Sequence, residues 1–479
     1  MRVPDWKGPL GEAFLCALDY LEGLQDRPVG PRATPAALRS AFAGPLPEIP
    51  GDPCDVVREL AGAAEGGLLP SGSGRFFGFV FGGATPTALA ADWLATAWDQ
   101  NAALFATSPA AAAAEQVAAE WLVELFGLPE TVSVGFVTGA QMASFTGLAA
   151  ARNETLMRAG WDVERDGLIG APPIRVLVGA ERHDTIDRAL RFLGLGTSCM
   201  TVVQSDDRGR MRADALAEAL AAGEGPTIVC AQVGNVNTGS IDPVGEICDL
   251  AHAAGAWVHV DGAFGLWAAS SPELRHLVSG IERADSWASD AHKWLNVPYD
   301  SGLVFCAHPR AHNAAMAIRA SYLIHDANGE RDSLDHNPEF SRRARGFAIY
   351  AAIRALGRRG IAEIVEECCA LAGVFADELA AATGAVVLAH DLNQVLVSFR
   401  SPTGDHDALT RDVVTRVQAE GTCWMSGTNW RGQDAMRISV SSWATDAGDV
   451  RRAIEAILRC ADAARLAIRA DDKNDLISA

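Results

Sequence analysis

From residue 132 onward the chain alternates between two patterns of apolar and polar positions. Short, nearly continuous apolar runs occur at Val132–Val137, Ile174–Val178, Met200–Val203, Thr227–Val233, Trp257–Val260, Ser286–Ala288 and Gly302–Cys306. They read as strands buried on both faces. Between them Ser144–Ala159, Thr185–Leu193, Ala213–Ala222 and Pro243–Ala254 carry the helical period, as does Ala110–Leu128 upstream. The alternation predicts an α/β fold whose mostly parallel seven-stranded sheet is covered by helices on both faces. Ligands of such sheets bind beyond the carboxyl ends of the strands. Gly139 follows the first run and Asp261 directly follows the fifth, so both lie at that edge.

The rhythm changes at either end. An amphipathic helix is predicted near Glu12–Gln25, and the prolines of Pro28–Pro53 exclude one long helix there. Ser71–Gly83 sets aromatic residues among glycines, a composition suited to a packed loop or to the wall of a substrate pocket. After Gly360 a long helix, Ile361–Ala382, leads to short strands near Val386–Leu388, Gln394–Phe399 and Met436–Ser441. Helices are predicted at Asp412–Glu420 and Asp449–Arg465, before a polar tail. The predicted organisation is an N-terminal helical arm (1–85), a large domain (86–360) and a small α+β domain (361–479).

Composition narrows the functional classes. A formal net charge of −20 repels phosphate backbones and argues against nucleic-acid binding. No apolar segment follows the basic residue at the start, and Pro86, Asp92 and glycines interrupt the most apolar stretch. The expectation is therefore a cytoplasmic protein with no membrane span. Ten scattered cysteines without a Cys-x-x-Cys pair read as reduced thiols, and no His/Cys cluster has metal-ligand spacing.

The chemistry centres on Lys293, in Ser289-Asp290-Ala291-His292-Lys293-Trp294, downstream of Asp261 in Trp257-Val258-His259-Val260-Asp261-Gly262-Ala263. Pyridoxal phosphate (PLP) chemistry needs a lysine that forms a Schiff base with the cofactor aldehyde and a carboxylate that keeps the pyridine nitrogen protonated. The turn Val137-Thr138-Gly139-Ala140-Gln141, opening a helix, suits a phosphate. His183, between a strand and a helix, is either a structural hydrogen bonder or a ring stacked on the pyridine. Asn235 and Asn237 can reach the phenolic oxygen of the cofactor, although such residues are common in turns. Ala263 is small enough for the ring to lie against the backbone.

These residues resemble the group II PLP-dependent amino-acid decarboxylases, which include aromatic-L-amino-acid, tyrosine, histidine and glutamate decarboxylases. Phe76-Phe77-Gly78-Phe79, Ser108-Pro109-Ala110, Ala149-Ala150-Ala151-Arg152, His259-Val260-Asp261-Gly262-Ala263 and His292-Lys293 carry the likeness, which runs from about Phe76 into the C-terminal domain. The resemblance implies fold type I, like aspartate aminotransferase. It also implies a homodimer with active sites at the interface, an N-terminal arm exchanged between subunits, and decarboxylation of an L-amino acid. Lys293 then matches the Schiff-base lysine, His292 its neighbouring phosphate or carboxylate contact, Asp261 the pyridinium partner and His183 the stacking histidine. Gly139, Ala140 and Gln141 fall at the phosphate cup, and Phe79, Val80 and Phe81 at the substrate pocket.

Three departures stand out. Asp290 occupies a position where the family often has Asn, and an anion there is repelled by phosphate unless it points away or caps an amide. Val236 replaces a frequent Thr. The stretch matching the family's mobile loop has Tyr322 at its base and no further tyrosine before Tyr350, which leaves His325 and His336 as candidate proton donors toward the substrate. Without a loop tyrosine, aldehyde synthesis, aldolase-type cleavage or transamination on the same scaffold is the alternative chemistry. An aromatic or large apolar substrate is favoured by Phe79, Phe81, Trp424 and Trp430, with Arg75 and Arg431 left open as partners for a second carboxylate.

Overall fold

The structure, a computed structural model, describes residues 5–318 and 331–478. Seven strands form the central sheet: β1 (Ser133–Val137), β2 (Arg175–Gly179), β3 (Met200–Val203), β4 (Thr227–Gln232), β5 (Trp257–Asp261), β6 (Ser286–Asp290) and β7 (Gly302–Cys306). Their order is β1-β7-β6-β5-β4-β2-β3. Every predicted strand is present, and neighbours from β3 to β6 pair in parallel. The exception is β7, antiparallel to both β1 and β6. Its connection from β6 holds only the one-turn helix Ala291–Trp294. A parallel return needs a crossover of a dozen or more residues, whereas an antiparallel one closes in a short turn.

That reversal has a geometric result. The start of β7 lies opposite the ends of two other strands, with Gly302 in register with both Val137 and Asp290. A Cβ at Gly302 would collide with the main chain of Gly139. Glycine is needed here for close backbone approach, not for turn flexibility.

A second, antiparallel sheet has the order β10-β11-β9-β8 and comprises β8 (Ala385–Asp391), β9 (Gln394–Phe399), β10 (Ser426–Trp430) and β11 (Gln433–Ser439). Edge strand β10 was not predicted, because Ser-Gly-Thr-Asn-Trp has no apolar alternation. The long helix starts earlier than its pattern suggested, at Gly346, and runs to Ala381 with a break at Gly357, where φ is 61°. The arm differs most. Pro35–Phe42 and Pro53–Ala64 are helices, each with proline in its first turn after Thr34 or Asp52, and Pro86–Trp98, just beyond the arm, starts in the same way after Thr85. The prolines do forbid one long helix, but they also start three short ones, since the first turn needs no proline N–H. No helix among the described residues is long and apolar enough to cross a membrane.

Two polar clusters brace the sheet. The fully buried Arg342–Glu115 pair (2.7 Å) ties the segment after residue 331 to helix Pro109–Phe126, and Arg342 also donates to the Phe136 carbonyl of β1. At the opposite end of the strands, Asp285 accepts from the Val258 amide (2.7 Å) and pairs with His308 (2.7 Å) and His252 (3.1 Å). Burial pushes the Asp285 carboxyl up, but the hydrogen bonds from His308, Val258 and His252 outweigh it and hold it below the ordinary value.

Two stability predictions follow from these clusters. Glu115→Ala leaves a buried guanidinium unpaired and should cost about 3–5 kcal/mol in denaturant unfolding. For Asp285 the depressed folded pKa means that its stabilisation is present above about pH 4, the unfolded value, and is lost as pH falls through the folded value. Asp285→Asn should flatten the acid limb of a melting-temperature-versus-pH profile, and an unchanged acid limb would remove Asp285 from that role.

Candidate active site

The carboxyl ends of β1, β4, β5 and β6 converge on a cavity of about 270 Å³. Gly139, Ala140, Gln141, His183, Asp261, Ala263, Asp290, His292 and Lys293, all expected from the sequence, line it together. The chain contains only three lysines, Lys7, Lys293 and Lys473. Lys293 is the one that lines this cavity.

Strand β5 delivers Asp261 at its last residue, where the buried carboxylate accepts the Ala263 amide at 3.2 Å. Helix Ala140–Arg158 starts at the end of β1 and points its N-terminus into the cavity. The Asp290 carboxylate bridges two groups there. One oxygen accepts the Ala140 amide at 2.5 Å and the other pairs with the Lys293 ammonium at 2.9 Å. The carboxylate is thus held in place by amide capping and an ion pair.

His292 accepts the Ser301 amide through Nδ1 at 3.1 Å, and its ring lies 4.3 Å from that of Tyr299. Burial lowers the His292 pKa, against the opposing pull of Asp290. His183 caps the helix Asp184–Phe192, its Nδ1 accepting the Thr185 amide at 3.2 Å. Gln141 Nε2 donates to the Thr185 carbonyl at 3.2 Å and ties the β1 turn to the His183 turn.

Several expectations are corrected. Asn235 and Asn237 do not line the cavity. Asn235 Nδ2 donates to the Glu181 carbonyl and to Gln232, its Oδ1 caps Asn237 and Thr238, and Asn237 accepts from Thr428 of β10. The Asn235 side chain builds the turn and that of Asn237 ties it to β10, and Gln232 and Val236 face the cavity instead. Val80 is buried in the main hydrophobic core, not in a pocket wall. Phe79 (φ 53°) stacks on Phe81 at 5.4 Å and on Trp424 at 5.7 Å, and Phe76 stacks on both Phe81 and Trp424. Phe81 then meets Tyr299 at 5.5 Å, so the aromatic chain ends on His292.

His336 does not face the cavity. Its ring packs on His312 at 5.2 Å, its carbonyl sits against Gly135 in mid-strand β1, and burial holds it well below its usual pKa. Tyr322 and His325 lie outside the described residues. Arg75 is committed to the Thr422, Gln25 and Arg27 carbonyls, and Arg431 to Glu181.

Thr185, Gln232, Gly234, Val236 and Phe264 complete the lining. Gln232 was missed although it ends β4 in register with Asp261, a relation that aligning the strand ends would have revealed. Tyr299 was missed because nothing local marks it; its contact to His292 is made by the short β6–β7 connection.

The donor set fits PLP: one amine, two buried carboxylates at strand ends, of which Asp290 is already paired with that amine, and a helix N-terminus, all on one cavity that also holds two imidazoles. Residues 35–401 match the pyridoxal-dependent decarboxylase conserved domain. The chain is 29% identical to tryptophan decarboxylase 1 of Oryza sativa subsp. japonica over 95% of its own length and 94% of the relative's. It is 26% identical to 4-hydroxyphenylacetaldehyde synthase of Rhodiola rosea over 85% of each. The crystal structure of the Oryza sativa TDC with PLP and tryptamine superposes with a TM-score of 0.90 at 26% identity, over 96% of this chain and 98% of that one. The chain therefore belongs to the pyridoxal-dependent decarboxylase family. It is a PLP-dependent enzyme acting on amino acids.

The close contact of Gly302 with Gly139 carries a prediction. Gly302→Ala should push the β1 turn away from Asp290 and weaken PLP binding more than tenfold, as read by cofactor retention on dialysis. Full retention would show that the contact is dispensable.

Proposed function

We propose that the enzyme decarboxylates an L-amino acid with an aromatic or large apolar side chain, yielding the amine and carbon dioxide. Bound PLP supplies the sink for the electron pair released when the bond from Cα to the carboxylate breaks. Asp261 keeps the proton on the pyridine nitrogen. Lys293 would hold the cofactor covalently and could carry a proton to the substrate Cα. His183 and His292 line the same cavity and would contact the cofactor ring and the substrate carboxylate. Ala140 and Gln141 take the phosphate at the helix N-terminus.

The observation that carries the substrate reading is the run of stacked rings from Trp424 and Phe76 through Phe79 and Phe81 to Tyr299, beside His292. Aromatic surfaces bind apolar and aromatic groups in offset or edge-on contact. The commitment of Arg75 and Arg431 to other partners supports the same reading, because neither is free to bind a second carboxylate.

The active form in this reading is a cytoplasmic homodimer in which the arm (1–85) covers a partner subunit, beside a large domain (86–360) and a small domain (361–479). Helix Lys7–Glu22 contains no buried residue and exposes Leu10, Phe14 and Leu15, and Phe42, Leu46 and Ile49 are exposed beyond it. Apolar surface of this kind marks an interaction face. A monomer by light scattering at micromolar concentration would overturn the dimer.

Carbon dioxide release from a panel of amino acids tests the activity. Tryptophan, tyrosine or phenylalanine should lead, with amine equal to carbon dioxide and no peroxide, and Lys293→Ala should lower turnover at least 10³-fold. Preference for glutamate or cysteine sulfinate would overturn the aromatic reading. Ammonia and peroxide in place of amine would overturn simple decarboxylation.

A further inference from the structure

We propose that the Asp290 carboxylate is a positioning group that occupies the phosphate-binding amide and tethers Lys293, so that PLP must displace it to be captured. The inference rests on the reading that Lys293 carries the cofactor. It concerns a residue at which this chain has an anion.

The two oxygens of one side chain engage the two groups that cofactor capture requires. Oδ1 takes the Ala140 amide, the first N–H of the 19-residue helix whose N-terminus attracts anions. Oδ2 takes the Lys293 ammonium. The carboxylate has little room to retreat. The Asp290 side chain is 4% exposed, its amide donates to the Ala263 carbonyl at 2.9 Å, and its carbonyl accepts Trp267 Nε1 at 3.0 Å. A Cβ on Gly139 would already lie 3.3 Å from Oδ1. The nearest other basic group is His292, whose Nε2 is 3.5 Å from Oδ1. Burial favours its uncharged form, so Lys293 supplies the cationic partner.

Phosphate and carboxylate therefore compete for one amide in a site of low polarisability, where two adjacent anions repel strongly. Linkage of amine and aldehyde also needs Lys293 as the free amine. The ammonium must leave the carboxylate and give a proton to solvent before the C–N bond forms and one water departs. Asparagine at the same position would keep the shape and an oxygen for the Ala140 amide while removing both the repulsion and the ion pair.

The test compares wild type, Asp290→Asn and Asp290→Ser as protein stripped of cofactor by a carbonyl reagent, with thermal melting to confirm folding. On mixing with PLP, the absorbance of the lysine–cofactor linkage should rise about tenfold faster in both variants. Calorimetry with inorganic phosphate alone should show about tenfold tighter binding by the stripped variants than by wild type. Equal or slower capture by a folded variant, or unchanged or weaker phosphate binding, would overturn the proposal and make the carboxylate part of the anion site. Borohydride reduction and peptide mapping report separately on the underlying reading, because cofactor fixed to Lys7 or Lys473 would refute the assignment of Lys293 rather than the role of Asp290.

Discussion

The contact of two glycine backbones, Gly139 at the end of β1 and Gly302 at the start of β7, sets the geometry on which the site depends. It exists because the β6–β7 connection is too short for a crossover, which turns β7 against its neighbours. With β7 reversed, its first residue rather than its last lies at the ligand edge, in register with Asp290 on one side and Val137 on the other. The helix N-terminus after β1 and the lysine after β6 are thereby held on either side of one carboxylate. Side chains at this junction would separate them.

Around that junction the chain divides labour between two kinds of polar group. Those at the carboxyl ends of the strands face a cavity, whereas two other buried charge clusters find their partners within the protein. Asp285, with its two histidines and a backbone amide, and Arg342 with Glu115 are as buried as the site residues, but their partners lie within the protein. The Asp261 carboxylate, by contrast, accepts only the nearby Ala263 amide among the hydrogen bonds of the described residues. A carboxylate left with spare acceptor capacity at a strand end is suited to a ligand, because an unmatched buried charge is otherwise costly.

The aromatic run from Trp424 to Tyr299 joins three segments distant in sequence and reaches His292 at the edge of the cavity. Phe77 adds to this by accepting from the Ser439 amide of β11 and donating to the Trp424 carbonyl. The glycine-rich segment after Ser71 can lie flat between the sheets: Gly78 packs against the Trp424 ring and Gly82 against the Lys293 carbonyl. An aromatic surface built this way belongs to no single element.

The sequence by itself determined the alternating strands and helices, the ligand edge, and the residues that end β5 and follow β6, since burial on both faces and helical period are local signals. Asp261, His183, His292 and Lys293 were legible for that reason, as each sits at a strand end that the pattern marks. Proline positions were half legible: they excluded a long helix in the arm, while the helices they start depend on caps at Thr34 and Asp52 that look like ordinary turn residues. Only the tertiary structure decided which polar side chains remain free for a ligand. Asn235 builds a turn, Asn237 is tied to β10, Val80 is core, and His336 packs behind β1, although each had a suitable residue type in a suitable place. The physical reason is that hydrogen-bond satisfaction and burial depend on neighbours supplied by other elements, and those neighbours are not recorded in the local pattern.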